Sequence, residues 1–153
     1  MQRRRWHFAI VMVVALAAWS CKGDSTAPDV PGCGAQTTSV QATANVGSTV
    51  TFDWSPRCPV GLVLVEDEDG SDMWYVGTPE FQNGTAKNAN RIAPSLTYGQ
   101  SIAGMTGSDS TLPLIAGKTY ILALWRTQPF GSTAHCQQEV DNACLLAVLP
   151  FTR

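Results

Sequence analysis

The sequence predicts an all-β fold, a sandwich of about seven strands, and three observations carry that prediction. Several short stretches alternate apolar and polar residues with the period of two that a half-buried strand requires. Between them lie turn formers, among them 13 glycines and 9 prolines in 153 residues. No helical period runs longer than the apolar segment at the N-terminus. With 44% hydrophobic and 14% charged residues the chain supports one core and not two.

Residues 1–20 read as a secretory signal peptide. Three consecutive arginines, Arg3 to Arg5, precede the uncharged run Phe8 to Trp19. That run has 12 residues, short of the ~20 a membrane-spanning helix needs. The segment Ala18-Trp-Ser-Cys21 resembles a bacterial lipobox, in which a small residue stands before a cysteine that becomes the lipidated N-terminus. The resemblance implies diacylation of Cys21 and a membrane partner reached through that lipid. Trp19 departs from the usual small or aliphatic residue, and cleavage after Ala17 by the ordinary signal peptidase is the competing outcome. Residues 22–32, Lys-Gly-Asp-Ser-Thr-Ala-Pro-Asp-Val-Pro-Gly, bury no apolar surface and read as a flexible tether. Lys22 stands where an aspartate would resemble an inner-membrane retention signal, so the expected address is the bacterial cell envelope, at the outer membrane.

The domain spans 33–153. Its first strand is expected at Ser39 to Thr43. In Ser48 to Trp54, Val50, Phe52 and Trp54 alternate with Thr49, Thr51 and Asp53, a strand with one buried face. Gly61 to Glu66 and Met73 to Val76 flank Asp67-Glu-Asp-Gly-Ser-Asp72, and Asp69-Gly70 favours a hairpin turn because both residues tolerate positive φ. Residues 78–90 are polar and predict an exposed loop. Arg91 to Tyr98 predicts an edge strand, since Pro94 cannot sit in a sheet centre. Residues 99–110 read as loop and Thr111 to Ile115 as a short strand. In Thr119 to Trp125, Tyr120, Leu122 and Leu124 share one face and Ile121, Ala123 and Trp125 the other, which predicts a central strand covered on both sides. Ala143 to Phe151 is a last apolar strand.

Leu114, Gly117 and Tyr120 stand six and three residues apart, a spacing that resembles fibronectin type III and related immunoglobulin-like sandwiches. There a tyrosine opens strand F and bonds its hydroxyl back to the preceding corner of the chain. Trp54-Ser55-Pro56 is similar to the end of strand B in that family. Together with the lipobox, the chain resembles bacterial envelope lipoproteins carrying one fibronectin type III or immunoglobulin-like domain.

Four cysteines follow Cys21. In an exported chain an even set predicts disulfides, and of three connectivities the pairing Cys33 with Cys58 and Cys136 with Cys144 joins cysteines close in sequence at strand ends. Zinc held by His135, Cys136 and Cys144 competes poorly, without a Cys-x2-Cys pair and in an oxidising compartment. A calcium loop in Glu66 to Asp72 fails its register: with Gly70 at the sixth position, Val65 and Val76 occupy the first and twelfth. No metal or cofactor is therefore assigned.

Catalytic chemistry finds no support either. His135 is the single histidine after the signal, and Gly99-Gln-Ser101-Ile-Ala-Gly104 misses the Gly-x-Ser-x-Gly elbow by one residue. Removing residues 1–20 takes three arginines and no acid from 10 basic and 12 acidic residues, leaving a net charge of −5. That balance argues against a nucleic-acid partner. The remaining binding signal is aromatic: Trp74, Tyr75 and Trp125 lie on strands whose neighbours face opposite ways, so a ring turned to solvent would suit a protein or glycan. The expected function is non-enzymatic, a lipid-anchored domain that binds another envelope component. A small exported hydrolase or accessory enzyme is the alternative.

Overall fold

A computed structural model describes residues 33–34, 37–82, 90–127, 138–140 and 143–153. The signal segment, Cys21, the tether, His135 and Cys136 lie outside them. Two antiparallel sheets face each other, as the sequence predicts for an all-β sandwich. One has three strands in the order β1-β2-β5: β1 Gln41–Val46, β2 Val50–Ser55 and β5 Leu96–Thr97. The other has six in the order β6-β4-β3-β7-β9-β8. These are β3 Leu62–Asp67, β4 Asp72–Gly77, β6 Thr106–Gly107, β7 Thr119–Thr127, β8 Glu139–Val140 and β9 Ala143–Thr152. A short helix, α1 Pro79–Gln82, follows β4 and is the one helix among the described residues.

The core is the sum of the inward faces. Val50, Phe52 and Trp54 of β2 meet Val63, Val65, Trp74 and Val76 of the β3–β4 hairpin and Tyr120, Leu122 and Leu124 of β7. Phe52 sits at the centre, with ring centroids 5.4 Å from Phe151 edge-on and 6.4 Å from Trp74 in a stack. Burial of these side chains is the main stabilising contribution, about 1.5–3 kcal/mol for each one taken fully out of water. Trp54 also satisfies its indole N–H within the core by donating to the Cys58 carbonyl oxygen at 2.7 Å.

Leu114, Gly117 and Tyr120 lie at the corner that leads into β7. Gly117 takes φ +80°, a conformation costly for any residue with a side chain. Leu114 packs on the core, and the hydroxyl of Tyr120, itself 1% exposed, accepts a hydrogen bond from the Ile115 N–H at 2.8 Å. The hydroxyl thus meets a backbone donor.

Several expectations are corrected. The first strand runs from Gln41 to Val46, later than Ser39 to Thr43. Thr111 to Ile115 is not a strand: Pro113 removes a ladder donor, and the segment is held instead by single bonds, such as Tyr98 Oη donating to the Leu112 carbonyl oxygen at 2.7 Å. Burial and the neighbouring Tyr120 push the Tyr98 hydroxyl up to about 12, so it remains a donor across the ordinary pH range. Within the expected loop 99–110, Thr106 and Gly107 pair with Gly77 and Val76 and cover the free edge of β4. The edge strand expected at Arg91 to Tyr98 shrinks to Leu96–Thr97, which among the described residues pairs with β2 alone; Pro94 lies in a bend before it and Ile92 forms an isolated bridge with Val60. The acidic hairpin turn is wider than two residues: the Asp67 carboxylate accepts from the backbone N–H groups of Asp69 at 3.0 Å and Ser71 at 2.8 Å, with Gly70 at φ +78°.

Cys33 and Cys58 form a disulfide, with Cα atoms 5.2 Å apart. Cys144 is also disulfide-bonded, with its partner outside the described residues. Beside the first bridge, Arg126 Nη1 donates to the Gly34 carbonyl oxygen at 2.9 Å. Burial pulls the Arg126 guanidinium below its ordinary value. The entry of the chain into the domain is therefore held both covalently and by hydrogen bonding.

Candidate interaction face

The outward face of the six-stranded sheet follows from strand register. Directly opposed residues in an antiparallel ladder share a face. Tyr75 of β4 opposes Leu64 of β3, which opposes Ala123 of β7, which opposes Val148 of β9. One row along, Gly77 opposes Leu62, which opposes Trp125. Glu66 opposes Ile121 in the row on the other side. These residues point away from Trp74, Val63, Val65, Leu122 and Leu124, so none of them belongs to the core between the sheets.

Tyr75 and Trp125 are thus brought to one face, two strands apart, with Leu62 and Leu64 between them. Both aromatics, both leucines and Ile121 are half-buried, and Val148 is 52% exposed. Gly77 contributes by what it lacks: a Cβ there would lie 3.2 Å from Cδ1 of Leu62, so glycine leaves the leucine room beside β4. Trp74 is corrected as a binding residue. It is 3% exposed and lies between Phe52 and Tyr98, unavailable to a partner. The expectation that β7 is covered on both sides is corrected too, since Ile121 and Trp125 keep part of their surface in solvent.

Chemically the face offers apolar contact and two aromatic rings. Its carboxylate is Glu66, held above its usual range first by burial and then by the charges of Asp72 and Asp67. A carboxyl raised on folding means the folded chain binds more protons than the unfolded one. Stability from this group is complete below the unfolded value near 4.5 and fades as pH rises through the folded value. Glu66→Gln is therefore expected to gain thermal midpoint relative to wild type between pH 4 and pH 7. Melting curves at the two pH values check this, and an equal difference at both would contradict it.

The sites considered for other chemistry are dispersed. Among the described residues no group of three acidic, cysteine or histidine side chains is placed to hold a metal ion. The Asp67 carboxylate is engaged in its own turn. Ser101 lines a small cleft of about 120 Å³ with Tyr75, Gln100, Thr106 and Ser108, in a segment that is neither strand nor helix. Ile121 is in phase with Trp125 in the sequence itself, Leu62 and Leu64 fall in phase with Tyr75 only once the hairpin is registered, and Val148, inside a uniformly apolar run, carries no such signal. The chain matches no protein-family model, no curated protein and no solved structure.

Proposed function

We propose that this protein is an exported, lipid-anchored component of the bacterial cell envelope whose immunoglobulin-like, fibronectin type III-like sandwich binds another envelope component, protein or glycan, without catalysing a reaction. The observation that carries the binding half is the convergence of Tyr75 and Trp125 with Leu62 and Leu64 on one partly exposed sheet face. Rigid aromatic rings on a sheet lose little entropy when they dock, and apolar patches of this kind suit partner surfaces better than solvent. The corner at Tyr120 supports the family reading, because its hydroxyl closes on the chain five residues upstream.

The anchoring half rests on the sequence Arg3 to Cys21 and on residues 22–32 behind it. Mass spectrometry of the mature protein tests it. The expected N-terminal residue is a diacylated Cys21, with outer-membrane fractionation. An unmodified N-terminus at Ala18 would overturn the anchor.

A further inference from the structure

The cleft of about 120 Å³ that Ser101 lines sits beside β4, between β6 and the loop that starts at Gly99. Three of its polar side chains are each tied to the backbone by one bond. The Tyr75 N–H donates to Ser108 Oγ at 2.8 Å, the Thr97 N–H donates to Gln100 Oε1 at 3.0 Å, and Thr106 Oγ1 donates to the Gly77 carbonyl oxygen at 2.9 Å.

Each of these bonds spends one half of a two-sided group. The Ser108 hydroxyl keeps its hydrogen to give, the Gln100 amide keeps its N–H pair, and the Thr106 hydroxyl keeps lone pairs to receive. Among the described residues no second side-chain bond occupies any of the three. Donors and acceptors are thus fixed in place with their remaining capacity unspent, so a ligand that uses them orders little on binding. Ile102 and Met105, which pack partly against the core, add an apolar wall.

We propose that this cleft binds one neutral sugar residue of a glycan. A sugar hydroxyl both donates and accepts, which matches the mixture left open at Gln100, Thr106 and Ser108, and the C–H face of the ring suits the wall at Ile102 and Met105. No acidic or basic side chain lines the cleft. A phosphate, carboxylate or ammonium group would therefore lose hydration there without gaining a counter-ion. The volume falls well short of the ~300 Å³ at which pockets begin to enclose a drug-sized ligand, so a single ring enters and the rest of the glycan stays in solvent. The proposal narrows the envelope partner to a glycan at this place. It stands on the cleft and not on the Tyr75 and Trp125 face, although Tyr75 borders both.

The test uses the full exported chain and amide NMR titrations with the methyl β-glycosides of glucose, galactose and N-acetylglucosamine. At least one of the three is expected to give saturable shifts at the Gln100, Ser101 and Ser108 amides. Methyl β-glucuronide, which carries a carboxylate, should bind at least tenfold more weakly than methyl β-glucoside. Gln100→Glu keeps the acceptor for the Thr97 N–H but replaces the open donor with a charge, and should lower affinity at least tenfold. Gln41→Glu, the same change on β1, should leave it unaltered. If Gln100→Glu does not fold, Ser101→Phe at this exposed position serves instead by filling the cleft, with the same expected loss. No saturable shift with any of the three glycosides would leave the cleft to water alone and overturn the proposal, as would equal affinity for the glucuronide or wild-type affinity in the cleft variants. Shifts confined to Leu62, Leu64 and Trp125 would also overturn it, since the sugar would then sit on the sheet face.

Discussion

Replacing Tyr120 with alanine should destabilise the domain by about 3–5 kcal/mol, the range for deleting a buried aromatic ring. The ring lies 5.8 Å from that of Phe151 and is 1% exposed, within the core cluster against which Leu114 also packs. Tyr120→Phe separates the two contributions. It keeps the packing and removes the acceptor for the Ile115 N–H, leaving that donor unpaired in a partly buried corner, at a cost of about 1–2 kcal/mol. Denaturant midpoints of the two variants measure both. If Tyr120→Phe unfolds at the wild-type midpoint, the hydroxyl contributes nothing to the corner, and the strongest support for the immunoglobulin-like reading is lost.

Breaking the Cys33–Cys58 bridge is the second large effect. The two residues are separated by 25 positions, and a closed loop of that size restricts the unfolded chain enough to be worth about 3–4 kcal/mol by the chain-entropy estimate. The bridge also fixes the segment before β1, which besides the bridge is tied by Arg126 to the Gly34 oxygen and by the Val40 N–H to Leu146. With Cys58 fully buried, alanine is the appropriate replacement, because it adds no polar atom to the core. The Cys33→Ala, Cys58→Ala double variant should melt roughly 10–15 °C lower than wild type while keeping the β-sheet signal, since the central strands do not depend on this bridge. A melting temperature within a few degrees of wild type would show that the entry segment is held without the disulfide.

How far the sequence predicts this fold depends on which force shapes each segment. β2 was readable because Val50, Phe52 and Trp54 alternate with polar residues, so burial and pleat point the same way. The turn at Asp69-Gly70 was readable because positive φ narrows the choice of residue. β6 was not, because two residues, Thr106 and Gly107, become a strand only by covering the edge of β4, a tertiary event with no local pattern. Thr111 to Ile115 misled in the opposite sense: its composition suits a strand, but the corner takes its donors one at a time. The candidate face shows the same division. That Trp74 and Tyr75 must point opposite ways follows from the period of two. Which of them meets the core is decided by the pairing of Trp74 with Val65 and of Tyr75 with Leu64, and the uniformly apolar Leu62-Val-Leu-Val65 carries no hint of that choice.

The central claim, that the domain holds an envelope partner against the Tyr75 and Trp125 face, is tested most directly by site-specific photocrosslinking in cells. A photoreactive phenylalanine analogue is placed at Tyr75, at Trp125, or at Thr51 on the other sheet, whose half-buried side chain points away from the core. The account predicts one discrete adduct, protein or glycan, from both Tyr75 and Trp125, no adduct from Thr51, and loss of the adducts when Cys21→Ser prevents anchoring. Equal crosslinking from Thr51, or none from Tyr75 and Trp125 in correctly localised protein, would contradict it.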